Sequence, residues 1–78
     1  MLLEIITPDK KIFSGEVSLV QLPGANGSFE ILNNHAPLIS TLAKGKIKIT
    51  DAAKATQFFE INSGVVEVRK NKIIVLAD

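Results

Sequence analysis

At 78 residues the chain has the length of one small domain, with residues 1–78 expected to share a single core. A domain this small buries only roughly 60% of the surface its unfolded chain exposes, and with no Cys and a single His it has no disulfide or metal cluster to brace it. Nine Lys+Arg against eight Asp+Glu, four Phe and no Trp or Tyr exclude the charge footprint and stacking platform of a nucleic-acid binder.

Met1-Leu2-Leu3-Glu4 lacks the basic region of a signal peptide, and no apolar run approaches the ~20 residues of a spanning helix, so a soluble protein is expected. Leu2 to Thr7 reads as a strand closed by the turn pair Pro8-Asp9. Lys11-Ile12-Phe13 forms a second, short strand up to Ser14-Gly15. Glu16 to Leu22 is a third, stopped by Pro23-Gly24, where Pro presets one turn position and Gly supplies positive φ at the next. Phe29 to Leu32 follows, then Leu38 to Leu42 with Pro37 at its mouth, where a missing N–H does least harm.

Lys46-Ile47-Lys48-Ile49-Thr50 alternates polar and apolar residues, as a strand with one buried face does. Lys44, Lys46 and Lys48 then form a solvated basic stripe on one face. Asp51-Ala52-Ala53-Lys54-Ala55 is a hairpin loop with one turn of helix at most, Asp51 being placed as a cap. Gln57 to Ile61 alternates again. Gly64 to Arg69 puts Val66 and Val68 on one side, and Lys72-Ile73-Ile74-Val75-Leu76 is a largely β-branched run. Between these last two, Lys70-Asn71 is a two-residue hairpin loop whose Asn tolerates positive φ. The whole predicts an all-β fold, a small antiparallel β-sandwich or flattened barrel of about nine or ten short strands.

Catalytic chemistry is scarce. His35 is the one general-base candidate, and none of Ser14, Ser18, Ser28, Ser40 or Ser63 sits in a strained strand-to-helix elbow. A structural or interfacial histidine bonded to backbone is expected instead. Gly24-Ala25-Asn26-Gly27 has the look of a phosphate loop, but Ser28-Phe29-Glu30-Ile31 is strand-like, whereas such loops open a helix. Glu16 and Glu30 read as surface carboxylates. No catalytic residue, cofactor or metal ligand is expected, which leaves a binding or structural role.

The stretch Leu22 to Leu38 carries a resemblance. Gly24 to Gly27, then Phe29, then Asn34-His35-Ala36-Pro37-Leu38 resemble the signature of the N-terminal β-sandwich of the F-type ATP synthase epsilon subunit family. Phe13-Ser14-Gly15, Gly45 before Ile47, Ser63-Gly64-Val65-Val66-Glu67-Val68 and the closing Val75-Leu76-Ala77-Asp78 match in order along the chain. Glu30 departs from the family's usual Gly, and Asn33 from its frequent Pro. In longer members a helical hairpin, which carries inhibition of ATP hydrolysis and in some members ATP binding, begins at about Asp78; none of it is encoded in these residues.

The resemblance implies a non-catalytic rotor subunit of the central stalk, peripheral on the cytoplasmic face of the energy-transducing membrane. It would pack on the gamma subunit and the polar loops of the c ring and meet the membrane only through the complex. By motif position Asn26, Gly27 and Ser28 would face the ring, and His35, Pro37, Leu38 and Ser40 would face gamma. The alternative from the residues alone is a free-standing β-sandwich module that binds a peptide or small ligand.

Overall fold

The computed structural model describes residues Met1–Asp78. Eight strands run in chain order: β1 (Leu2–Ile6), β2 (Lys11–Gly24), β3 (Gly27–Leu32), β4 (Leu38–Leu42), β5 (Gly45–Asp51), β6 (Thr56–Ile61), β7 (Gly64–Arg69) and β8 (Lys72–Ala77). They pair in the order β1-β8-β7-β4-β2-β5-β6, with β3 on β2 and β1 also on β2. The all-β class holds. Two details differ from expectation: there are eight strands rather than about nine or ten, and the sheet is mixed, because β1 and β8 run parallel.

The strand count falls because Lys11 to Gly24 is one strand, not two strands and a turn. Gly15 sits within the β1 pairing opposite Leu3, and a Cβ there would lie 3.4 Å from the Phe13 ring. That is ordinary contact, so this glycine relieves no clash, and it does not stop the strand. Pro23 and Gly24 also remain in the strand, paired with Ser28 and Gly27, so the reversal falls on Ala25-Asn26.

The length of β2 lets it serve two layers. Its first half pairs with β1, which continues through β8 and β7 to β4; its second half lies between β3 and β5, with β6 beyond. The change of layer occurs at a bulge: Val17 pairs with Asp51 but Leu19 with Thr50, leaving Ser18 as the extra residue, its Oγ donating to Thr50 O at 3.3 Å. Val17 and Val20 are therefore both buried although three apart, because the extra residue resets the two-residue alternation.

One core fills the space between layers. Leu3 and Ile5, Val20 and Leu22, Ile31, Ile47 and Ile49, Val66 and Val68, Ile73 and Val75 all point into it with 2% exposure or less. Each such side chain stabilises by about 1.5–3 kcal/mol relative to an exposed one. Phe13 of β2 and Phe59 of β6 meet at 5.6 Å between ring centroids, tilted by 60°, and pack against the core at its margin.

The turns after β5 and β7 use the expected residues, whereas the positive φ expected at Gly24 falls on Gly27, at 122°. Lys70 and Asn71 both take positive φ, 52° and 60°, which matches the twist of the strands they join. Asp51 behaves as a cap in its hydrogen bonds, Oδ1 accepting from the N–H groups of Ala53 and Ala55 at 2.9 Å, but Lys54 turns to φ 66° and no helix forms.

Candidate interaction surface

The two loops singled out in the sequence lie at opposite ends of β3, roughly 17 Å apart at the usual rise per residue. At one end Asn26, Gly27 and Ser28 are exposed. Their turn is backed by the connection from β4 to β5: Ala43 N–H donates to Pro23 O at 2.8 Å, and Ala25 N–H to Thr41 O at 3.1 Å. Close approach fixes the glycines here. A Cβ on Gly24 would come within 2.5 Å of Gly27 O and 2.7 Å of the Phe29 ring, and one on Gly45 within 2.8 Å of Pro23 Cβ.

At the other end the chain between β3 and β4 carries His35. His35 N–H donates to Leu32 O at 3.2 Å, and its exposed ring places Nδ1 2.8 Å from Ala36 O, a contact in which Nδ1 carries the hydrogen. Asn34 takes φ 62°, and its N–H donates to Asn71 Oδ1 at 2.8 Å. Asn33 Oδ1 accepts from the Met1 amino group at 2.9 Å. The turn from β7 to β8 therefore clasps the His35 loop through Asn71.

Replacing Asn71 with Gly keeps the left-handed backbone but removes the acceptor. The expected result is a stability loss of about 1 kcal/mol, with faster amide exchange at Asn34 and a shifted His35 imidazole resonance; Asn71→Asp restores the loop. Unchanged exchange at Asn34 in Asn71→Gly would mean that the loop is held without Asn71.

Alternation along β4 sorts the remaining expected contacts. Leu38 and Ser40 lie on its inner side, Leu38 packed against the core and Ser40 half-buried. Pro37 is exposed at the mouth of the strand. Ile39, which the sequence reading passed over, faces outward and is 73% exposed.

The pairing registers continue Ile39 into an apolar face. Across β4, β7, β8 and β1, one row runs Thr41, Val65, Leu76, Ile6 and the next runs Ile39, Glu67, Ile74, Glu4. Val65 and Leu76 are exposed in it, and Ile6 and Ile74 are half-buried. An open groove of about 570 Å³ runs along Pro37, Ile39, Glu67, Arg69 and Lys70, joining this face to the foot of the His35 loop. Ile73-Ile74-Val75-Leu76 is apolar in both phases, and the fold, with one core between two layers, puts Ile73 and Val75 inside and leaves Leu76 outside.

Charge frames the apolar rows. Glu4 Oε2 accepts from Lys11 Nζ at 2.8 Å, and Lys72 Nζ lies 3.7 Å from its other oxygen. The hydrogen bond from Lys11 is the main cause that holds the Glu4 carboxyl below the usual carboxylate range, partial desolvation opposing it and the Lys11 and Lys72 charges adding to it. On the opposite sheet Phe58 is 60% exposed beside Lys48, its cross-strand partner, and Lys46 faces Glu60.

A family model described as the ATP synthase, Delta/Epsilon chain, beta-sandwich domain matches residues 1–78. The ATP synthase epsilon chain of Caulobacter vibrioides is 42% identical over 74 residues, covering 95% of this chain and 85% of that protein. Among solved structures, a chain of the Euglena gracilis mitochondrial ATP synthase (OSCP/F1/c-ring) superposes with a TM-score of 0.92 at 18% identity. A chain of the Tetrahymena thermophila mitochondrial ATP synthase central stalk/c-ring does so with 0.80 at 23%. Each superposition covers 99% of this chain, which spans 49% of the Euglena chain and 62% of the Tetrahymena chain. At these identities the structural likeness shows the fold.

Proposed function

The chain belongs to the ATP synthase delta/epsilon-chain β-sandwich family, and from that premise we propose that it is a non-catalytic central-stalk subunit of an F-type ATP synthase. In this role it packs on the gamma subunit and the c ring and turns with them, coupling ion-driven rotation to ATP synthesis. The outward apolar rows of β4, β7, β8 and β1 carry the reading. Ile39, Val65, Leu76, Ile6 and Ile74, with Glu67 and Glu4 among them and Lys11, Lys72 and Arg69 at the rim, have the mixed composition of a protein–protein contact.

The gamma subunit covers that face and reaches the His35 loop, with Ile39 in place of Leu38 as the principal β4 contact. The Asn26–Ser28 turn, at the far end of β3, meets the polar loops of the ring. The chain acts as one body between them, peripheral on the cytoplasmic face of the membrane. No helix is long and apolar enough to cross it. Association also stabilises a small domain without disulfides, because a partner that binds only the folded form adds its binding free energy to folding.

The test is reconstitution with the gamma subunit and c ring of the same organism. The chain should co-elute with gamma and show no ATP turnover of its own. Monomeric behaviour beside both partners, together with saturable binding of a peptide or sugar, would make it a free-standing binding module instead.

A further inference from the structure

We propose that Asn26 is a site of spontaneous covalent modification, deamidating through the Asn26-Gly27 peptide at the tip of the turn between β2 and β3. In this reaction the backbone nitrogen of Gly27 attacks Cγ of Asn26. The new N–Cγ bond closes a five-membered succinimide, the Cγ–Nδ2 bond breaks, and ammonia leaves with the amide proton. Water then opens the ring at either carbonyl, giving aspartate or isoaspartate. The balance is one water consumed and one ammonia released, with no oxidant or cofactor.

Three observations single out this asparagine. Gly27 has no side chain to shield its nitrogen, and even a Cβ built there would find open space within 4 Å. Asn26 is exposed, and its amide makes no hydrogen bond within the chain, so the carboxamide is free to rotate toward that nitrogen. The other asparagines are less favoured. Asn33 and Asn71 each hold a backbone or terminal N–H through Oδ1, Asn34 precedes His35, and Asn62 precedes Ser63, so all four are followed by a residue with a side chain.

The product changes the turn in two ways. Either acid adds a negative charge where the β2–β3 turn is neutral, and isoaspartate also lengthens the backbone by one methylene inside a two-residue loop closed by Gly24 and Gly27. The chemistry stands whether or not the turn meets a c ring.

The experiment is peptide mapping of the intact folded protein held for days in mildly alkaline buffer, with Asn26→Ser and a urea-unfolded sample alongside. The expected result is a product heavier by the difference between an amide and an acid. It should be assigned to Asn26 by fragment masses, split into aspartyl and isoaspartyl forms, form several-fold faster than any product at Asn62, and be absent from Asn26→Ser. Conversion at Asn26 that is no faster than at Asn62, or that occurs only in urea, would overturn the proposal by showing that the folded turn keeps the Gly27 nitrogen out of reach.

Discussion

Ile5→Ala should remove a large share of the isolated domain's stability at room temperature. Ile5 is fully buried and lies in a strand paired on both sides, opposite Phe13 of β2 and Val75 of β8. Truncating a buried isoleucine to alanine costs about 2–5 kcal/mol, since the cavity left behind closes only in part. A domain of this length has a net stability of about 4–12 kcal/mol. Urea unfolding followed by circular dichroism measures the loss. Ile39→Ala is the control, because a residue 73% exposed should change stability by about 0.5 kcal/mol or less. A loss at Ile5 as small as at Ile39 would contradict the two-layer packing.

Ile39→Asp should weaken association with the gamma subunit by about 2 kcal/mol or more, roughly thirty-fold or more in Kd, while the like charge of Glu67 across the strand pair costs the fold only about 1 kcal/mol or less. The substitution puts a carboxylate directly across from Glu67, where a covering partner would bury it unpaired, while in the free domain that position faces water. Leu38→Ala should behave in the opposite way, lowering stability with little effect on affinity, because its side chain packs on the core. Titration calorimetry on both variants separates the two faces of β4. Full affinity in Ile39→Asp with lost affinity in Phe58→Asp would move the docking face to the opposite sheet.

The comparison of these neighbours also shows what was legible in the sequence. Where one face of a strand is polar, as in Lys46 to Thr50, alternation located the strand and its inward side, Ile47 and Ile49. The Lys70-Asn71 turn was equally plain. Leu38-Ile39-Ser40-Thr41-Leu42 mixes apolar and polar residues in both phases, so its inward side is set by register with β7, where Leu38 pairs with Val68 and Leu42 with Gly64. That register is a tertiary fact. The continuity of β2 was hidden for a related reason: the bulge at Ser18 breaks the alternation, and Gly15 and Pro23-Gly24 imitate turn signals while remaining paired.

The parallel pairing of β1 with β8 left no local trace at all, because its two strands stand at opposite ends of the sequence. The clasp between Asn34 and Asn71 was likewise invisible to motif reading. Asn71 had its own local explanation in the hairpin turn and Asn34 its place in the family motif, and only the fold brings the Asn71 carboxamide to the Asn34 N–H. Asn26–Ser28 and His35 became candidate contacts through the motif positions of the family resemblance; Ile39, Val65 and Leu76 carry no such motif, and apolar residues in strands read first as core.

The parallel β1–β8 pair also sets an order of assembly. The hairpins β2–β3, β5–β6 and β7–β8 join neighbours in sequence and can close within microseconds. β1 can pair with β2 early, but its other edge has no partner until the last strand has left the ribosome. During synthesis the nascent chain therefore carries an open strand edge for as long as β8 is missing, and closure of the layer waits on the strand pairing farthest apart in sequence.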